Sequence, residues 1–138
     1  MACNSIKAAR FLFNTGMPRI VAIDDDMDLL KMVKSLLLRK GFNVSAFSKW
    51  EAAITSIRKH IPQIILLDVF LGNDDGFDVC KKLKADSFTR HIPILVCSGF
   101  SKVAETAIFE FGANDFILKP FKGIELLRKI YSVLLKPR

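Results

Sequence analysis

Apolar residues fall along the chain in short blocks that alternate between two periods. Arg19–Ile23 (RIVAI) is a brief, β-rich apolar run. Beyond it, Leu29, Leu30, Met32, Val33, Leu36 and Leu37 recur every three or four residues, which predicts a helix over Met27–Lys40 that Gly41 ends. Phe42–Phe47 and Gln63–Leu67 then read as strands on either side of a helix at Trp50–His60. Ser48 followed by Glu51 has the spacing of a capping box for that helix. A polar loop comes next, with Asp74 and Asp75 before Gly76 read as turn residues. The remaining blocks predict a helix at Phe77–Lys84, a strand at Ile94–Cys97, a helix at Lys102–Phe111 closed by Gly112, a strand at Phe116–Leu118 and a last helix at Ile124–Leu135.

These are β-α units in series, without an internal repeat. Runs such as IVAI and IILL are apolar on both faces rather than alternating. Strands buried on both faces belong to parallel sheets covered by helices. Right-handed crossovers then give an α/β fold with an open, doubly wound, five-stranded parallel sheet and five helices. The pattern leaves the strand order open.

A chain of 138 residues suits one domain. We expect that domain over residues 17–138, behind a loosely ordered extension at 1–16, with Met17 a candidate start. The extension's apolar stretch is too short for a secretory signal. At 51% hydrophobic and 25% charged residues, the composition excludes a disordered chain. The apolar runs are far too short to span a membrane. Cys3, Cys80 and Cys97 lack CxxC spacing, which gives neither a disulfide framework nor a zinc signature, so the expected setting is cytoplasmic. The net charge of +7 is spread over many segments, including Lys31, Lys34, Arg58, Lys59, Lys81, Lys82, Lys84, Arg128 and Lys129. That spread predicts solvated helix faces rather than a nucleic-acid patch.

The candidate chemistry sits where the strands stop. The first ends in Asp24-Asp25-Asp26, the third in Asp68, the fourth in Ser98-Gly99 and the fifth in Lys119-Pro120. In a parallel sheet these ends share one edge, where open α/β sheets bind their ligands. Clustered carboxylates raise one another's pKa unless a cation joins them. Oxygen ligands without His or Cys suit a hard cation, Mg²⁺ or Mn²⁺. A carboxylate-held metal beside a lysine and a hydroxyl can handle a phosphoryl group, and an Asp can accept that group covalently. Each residue alone has a plainer reading: Asp26 as a helix N-cap, Ser98-Gly99 as a turn, Lys119 as a solvated strand end. The order Asp-Asp, Asp, Ser, Lys at four strand ends favours the chemistry.

The segments IVAIDDDMDLL, IILLDVFLGNDDGFDVCKKLK, IPILVCSGF and GANDFILKPF resemble the receiver domain of two-component response regulators, the CheY-like family, from Pro18 to about Pro137. The resemblance implies the strand order 2-1-3-4-5. It implies that Asp68 is the phosphoacceptor, served by a histidine kinase or phosphotransfer protein. It implies Mg²⁺ held by Asp24, Asp25, Asp68 and the backbone carbonyl of Phe70. Ser98 matches the switch hydroxyl, Phe116 the switch aromatic, and Lys119 the lysine that pairs with the phosphoryl group, ahead of a cis Lys119–Pro120 bond. Such a domain is a signalling element, not an enzyme beyond its own phosphorylation and dephosphorylation. Its downstream protein partner would dock on the helix 4–strand 5–helix 5 face, containing Phe116 and Tyr131. No nucleic-acid or membrane contact is expected, and a weak dimer is compatible with it. The chain stops after its last helix, as expected for a stand-alone or truncated receiver without a DNA-binding domain.

Some residues depart from the family pattern. Gly72 stands where Pro is common, which should loosen the loop after Asp68. Phe116 lacks the hydroxyl of the more usual Tyr. Phe111 replaces a small residue, so that with Phe109 it could either widen an apolar surface or form a core helix face. Phe70 and Phe100, two residues after Asp68 and Ser98, occupy positions that tune hydrolysis in the family, and two bulky rings would shield a phosphorylated Asp68 from water. Competing readings are a receiver that docks partners without phosphorylation and a haloacid-dehalogenase-type phosphatase using Asp24-x-Asp26. The latter has Asp28 where that family wants Thr or Val, and leaves Asp68 without a role.

Overall fold

The computed structural model describes residues 16–71 and 74–136. The expected extension, apart from Gly16, and the loosened position at Gly72 lie outside the described residues. The chain runs β1 (Arg19–Ile23), α1 (Met27–Arg39), β2 (Asn43–Phe47), α2 (Trp50–Lys59), β3 (Ile64–Asp68), α3 (Gly76–Ala85), β4 (Ile94–Ser98), α4 (Ser101–Phe111), β5 (Asp115–Leu118) and α5 (Gly123–Leu134). The five strands form one parallel sheet in the order β2-β1-β3-β4-β5. That is the doubly wound architecture and strand order expected.

The period of two along each strand sends alternate residues to opposite faces. Ile20, Ala22, Ile64, Leu66, Leu95 and Cys97 face a core closed by Leu30, Val33 and Leu37 of α1 and Leu126, Ile130 and Val133 of α5. Val21, Ile23, Ile65, Leu67, Ile94 and Val96 face a second core closed by α2, α3 and α4 through Ala53, Ile57, Val79, Leu83 and Ala107. Because both faces are covered, β3 and β4 are buried at every position. The edge strand β2 is only partly covered, and β5 likewise. Among the described residues no helix is long and apolar enough to cross a membrane.

Some helix ends follow local chemistry and others do not. The Asp26 carboxylate accepts the amides of Asp28 and Leu29 at 3.1 Å and starts α1. Gly112 ends α4 in the left-handed region at φ +83°. The capping box expected at Ser48 and Glu51 does not form. Lys49 is the N-cap of α2, in extended backbone, and no side chain bonds to the helix amides. The helix therefore begins one residue too late for Glu51 to reach back as the third helical residue. The reach-back occurs at α5 instead, where the Glu125 carboxylate accepts the Lys122 amide at 3.3 Å.

The loop after β3 is also more ordered than the expected polar turn. Phe70–Leu71 and Asp74–Asp75 pair as a two-stranded antiparallel ribbon, which returns the chain to α3. Asp75 caps α3 through the Phe77 amide at 2.9 Å. The Gly76 amide donates to the Val69 carbonyl at 2.8 Å. A β-carbon at Gly76 would stand 2.3 Å from the Val69 α-carbon, so no other residue fits without moving that backbone.

Candidate functional site

Parallel register brings the chemically loaded strand ends to one edge. Asp24 follows β1, and Asp68 and Ser98 close β3 and β4. Lys119 follows β5, with its amide on the Ser98 carbonyl at 2.7 Å. Asp24, Asp68 and Ser98 are the buried polar residues of this edge, at 5%, 6% and 1% exposure. Asp25 stands exposed at the mouth.

The carboxylates of Asp24, Asp25 and Asp68 each offer an oxygen within 4.8 Å of the others. Lys119 partly neutralises this cluster. Its ammonium donates to Asp24 Oδ2 at 2.6 Å and lies 3.5 Å from Asp68 Oδ2. Asp24 Oδ1 also accepts the Asp26 amide at 2.9 Å, and Asp68 Oδ1 accepts the Phe70 amide at 3.2 Å. Burial, with the nearby Asp24 charge, pushes Asp68 up to about 6, against the pull of the Phe70 amide and Lys119. For Lys119, burial favours the neutral form, but the Asp24 hydrogen bond and the charges of Asp24 and Asp68 outweigh it and hold the ammonium above its ordinary pKa. The pocket thus has more negative charge than one lysine balances. Three convergent carboxylates with no nitrogen or sulfur ligand fit a small hard divalent cation.

Ser98 is at the pocket, but its hydroxyl is committed locally. It accepts the Phe100 amide at 3.1 Å and donates to the Phe100 carbonyl at 3.3 Å. Phe70 and Phe100 rim the edge and are 55% and 65% exposed. Lys119–Pro120 is cis. Cys97 sits opposite Asp68 in the β3–β4 register. Burial pushes its thiol up to about 12, so it adds no charge to the cluster.

Farther from the acids, Phe116 is half-buried, with the Lys129 ammonium 5.3 Å from its ring centroid. The same ammonium pairs with Asp115 at 3.2 Å. Phe116, Leu118, Pro120, Arg128, Lys129 and Ser132 line an open groove of about 580 Å³ between β5 and α5. Tyr131 is not among the residues lining it, and packs on Phe42 with ring centroids 5.9 Å apart. The two phenylalanines of α4 separate: Phe111 stacks on Phe77 at 4.9 Å, as a core face would, while Phe109 is 83% exposed.

Two supporting residues escaped the sequence reading. Gly76 pins the loop next to Asp68, and its only sequence signal is its place directly after two aspartates. Lys84 falls within the charge spread that predicts solvated helix faces. Its ammonium instead donates to the carbonyls of Arg90 and Ile92 and to Asn114 Oδ1, which also accepts the Ile94 amide.

Comparison with known proteins agrees with this geometry. The sequence model of the response regulator receiver domain matches residues 20–131. The chain is 34% identical over 122 residues to the DNA-binding response regulator MtrA of Mycobacterium tuberculosis, covering 88% of this chain and 52% of that protein. It thus spans about half the length of such curated relatives. A two-component response regulator from Clostridium difficile superposes with a TM-score of 0.78 at 27% identity, over 86% of this chain and 96% of that one. The chemotaxis protein CheY4 of Vibrio cholerae shares the fold, with a TM-score of 0.79 at 24% identity over 86% and 99% of the two chains. With the family's sequence pattern over most of its length and the CheY-like sheet beneath it, the chain belongs to the receiver domains of two-component response regulators.

Proposed function

We propose that Asp68 accepts a phosphoryl group from a phosphohistidine donor, a histidine kinase or a phosphotransfer protein. The observation that carries this reading is the pairing of Lys119 with the buried carboxylates of both Asp24 and Asp68 inside a group of three carboxylates. In the transfer, an Asp68 oxygen forms the new P–O bond as the donor P–N bond breaks, and the freed imidazole takes a proton from solvent. Lys119 neutralises the phosphoryl oxygens. Asp24, Asp25, Asp68 and the Phe70 carbonyl would hold Mg²⁺ or Mn²⁺, whose charge offsets those same oxygens.

Ser98 is poised two residues from the exposed Phe100 ring. To donate to the phosphoryl group, its hydroxyl must leave the Phe100 carbonyl. That exchange would tug the start of α4, and with it the Phe116 side of the domain. The output is then a shift in population between two packings of the α4–β5–α5 face, read by a downstream protein. The DNA-binding activity in MtrA's name describes that protein. For this chain the output is assigned to the groove between β5 and α5.

Intact-mass spectrometry after incubation with acetyl phosphate and Mg²⁺ tests the reading, beside Asp68→Asn. The expected result is a gain of one phosphoryl group, about 80 Da, absent in the variant and absent without metal. No gain from acetyl phosphate, and none from a phosphohistidine donor, would overturn it in favour of a receiver that docks without phosphorylation.

A further inference from the structure

We propose that the groove between α1 and α2 is a second docking surface, and that it takes an acidic, amphipathic segment of a protein partner. The groove holds about 390 Å³ and is separate from the one between β5 and α5. Its apolar lining is Met27, Leu30, Ala46, Phe47 and Ala52, two of them small enough to leave room for an incoming side chain. Lys31, Lys34 and Lys49 stand around it, all exposed.

Charge says what fits there. Among the described residues, none of the three ammonium groups forms an ion pair or hydrogen bond. Asp28 lies one turn before Lys31 but does not pair with it. Lys31 and Lys34, three apart on one helix, face the same side, so their charges add at the groove. The Ser48 hydroxyl, freed by the failed capping box, lines the same rim without a hydrogen bond of its own. An apolar floor ringed by unpaired cations and a free hydroxyl is complementary to a helix or strand bearing Leu-like residues between carboxylates.

Other occupants fit less well. Residues 1–16 carry Lys7 and Arg10 and no acid, so the groove would repel them. A two-fold copy would set lysines against lysines. A bilayer needs several projecting apolar side chains, and of this groove's lining Met27 alone is a large exposed one. The site adjoins the acid pocket, because the Phe47 carbonyl accepts the Asp24 amide at 3.1 Å. A partner held there would sit one backbone hydrogen bond from Asp24 while leaving the β5–α5 groove free.

The test uses the unphosphorylated chain and short synthetic helices. One carries Glu and Leu on opposite faces, a second carries Lys and Leu, and a third carries Glu and Ser. Amide shifts at Ala46, Phe47 and Ser48, and fluorescence of Trp50, the only tryptophan, report binding. The Glu/Leu peptide should bind, more weakly as salt rises, and the other two should not. Lys31→Glu/Lys34→Glu/Lys49→Glu should weaken binding at least tenfold, whereas the equally charged Lys40→Glu/Lys59→Glu/Lys81→Glu should not. Asp68→Asn should bind as the wild type does, which separates this site from the phosphoacceptor reading. No shift with the Glu/Leu peptide, or equal loss in both triple variants, would overturn the proposal. So would binding to phosphatidylserine vesicles without binding to that peptide, which would assign the surface to a membrane.

Discussion

The Lys119 ammonium lies 2.6 Å from the Asp24 carboxylate, across 95 residues of sequence, at the edge of the sheet where β1 and β5 end. Neither residue is adjacent to the other's strand. The parallel order places β3 and β4 between them, and the long lysine side chain bridges the gap over Asp68. This contact neutralises part of a cluster that stays acid-rich.

Replacing Lys119 by Met removes the cation that pairs with two buried carboxylates. Leaving a buried charge unpaired costs about 3–5 kcal/mol. Because Asp68 can take up a proton and Lys119 is itself partly exposed, a loss of about 2 kcal/mol at neutral pH is expected. Excess Mg²⁺ should restore much of it by joining the same carboxylates. Urea unfolding with and without the metal measures both effects. An unchanged midpoint would show the pair to be energetically idle.

The raised pKa of Asp68, about 6 against an ordinary 3.8, has a definite sign in the pH dependence. The folded state holds this proton more tightly than the unfolded chain does. Stability should therefore fall as pH rises from about 4 through 6, by on the order of 2 kcal/mol. Asp68→Asn should flatten that slope and be more stable than wild type above the window. Metal affinity should fall below pH 6, where the proton competes with the cation. Unfolding midpoints and calorimetric Mg²⁺ titrations across this range would detect each change.

Gly76→Ala should be destabilising by about 1–3 kcal/mol, since its β-carbon meets the Val69 backbone at 2.3 Å. The strain lies one residue from Asp68, so acetyl phosphate should also phosphorylate the variant more slowly. A slowed rate with an unaltered unfolding midpoint would place the effect in the loop alone.

Phe70 and Phe100 are each more than half exposed at the rim of the pocket. If their bulk limits the approach of water, Phe100→Glu should speed loss of the phosphoryl group by on the order of tenfold, equivalent to about 1.4 kcal/mol in barrier. Decay of phosphorylated protein, followed by intact mass, gives the rate. Equal decay in both proteins would discard the shielding role.

Strand and helix periodicity, together with doubly apolar runs such as IVAI and IILL, was enough to specify a covered parallel sheet, because a strand buried on both faces has no other stable setting. It also put Asp24, Asp25, Asp68, Ser98 and Lys119 at strand ends that must share one edge. Local signals did less well where the backbone path decided the outcome. Ser48 and Glu51 have capping spacing, yet α2 starts one residue too late to use it.

What only the tertiary structure decided were the contacts made between elements. Lys119 reaches Asp24 more closely than Asp68, and Ser98 spends its hydroxyl on Phe100. Phe111 is claimed by Phe77 while Phe109 is left in water. Lys84 is drawn into a carbonyl cluster, whereas Lys31 and Lys34 of α1 and Lys49 before α2 gather around one groove. Periodicity records which face of an element is buried, a property of each segment alone. Pairing depends on register, side-chain reach and the packing of neighbours, which exist only once the segments meet.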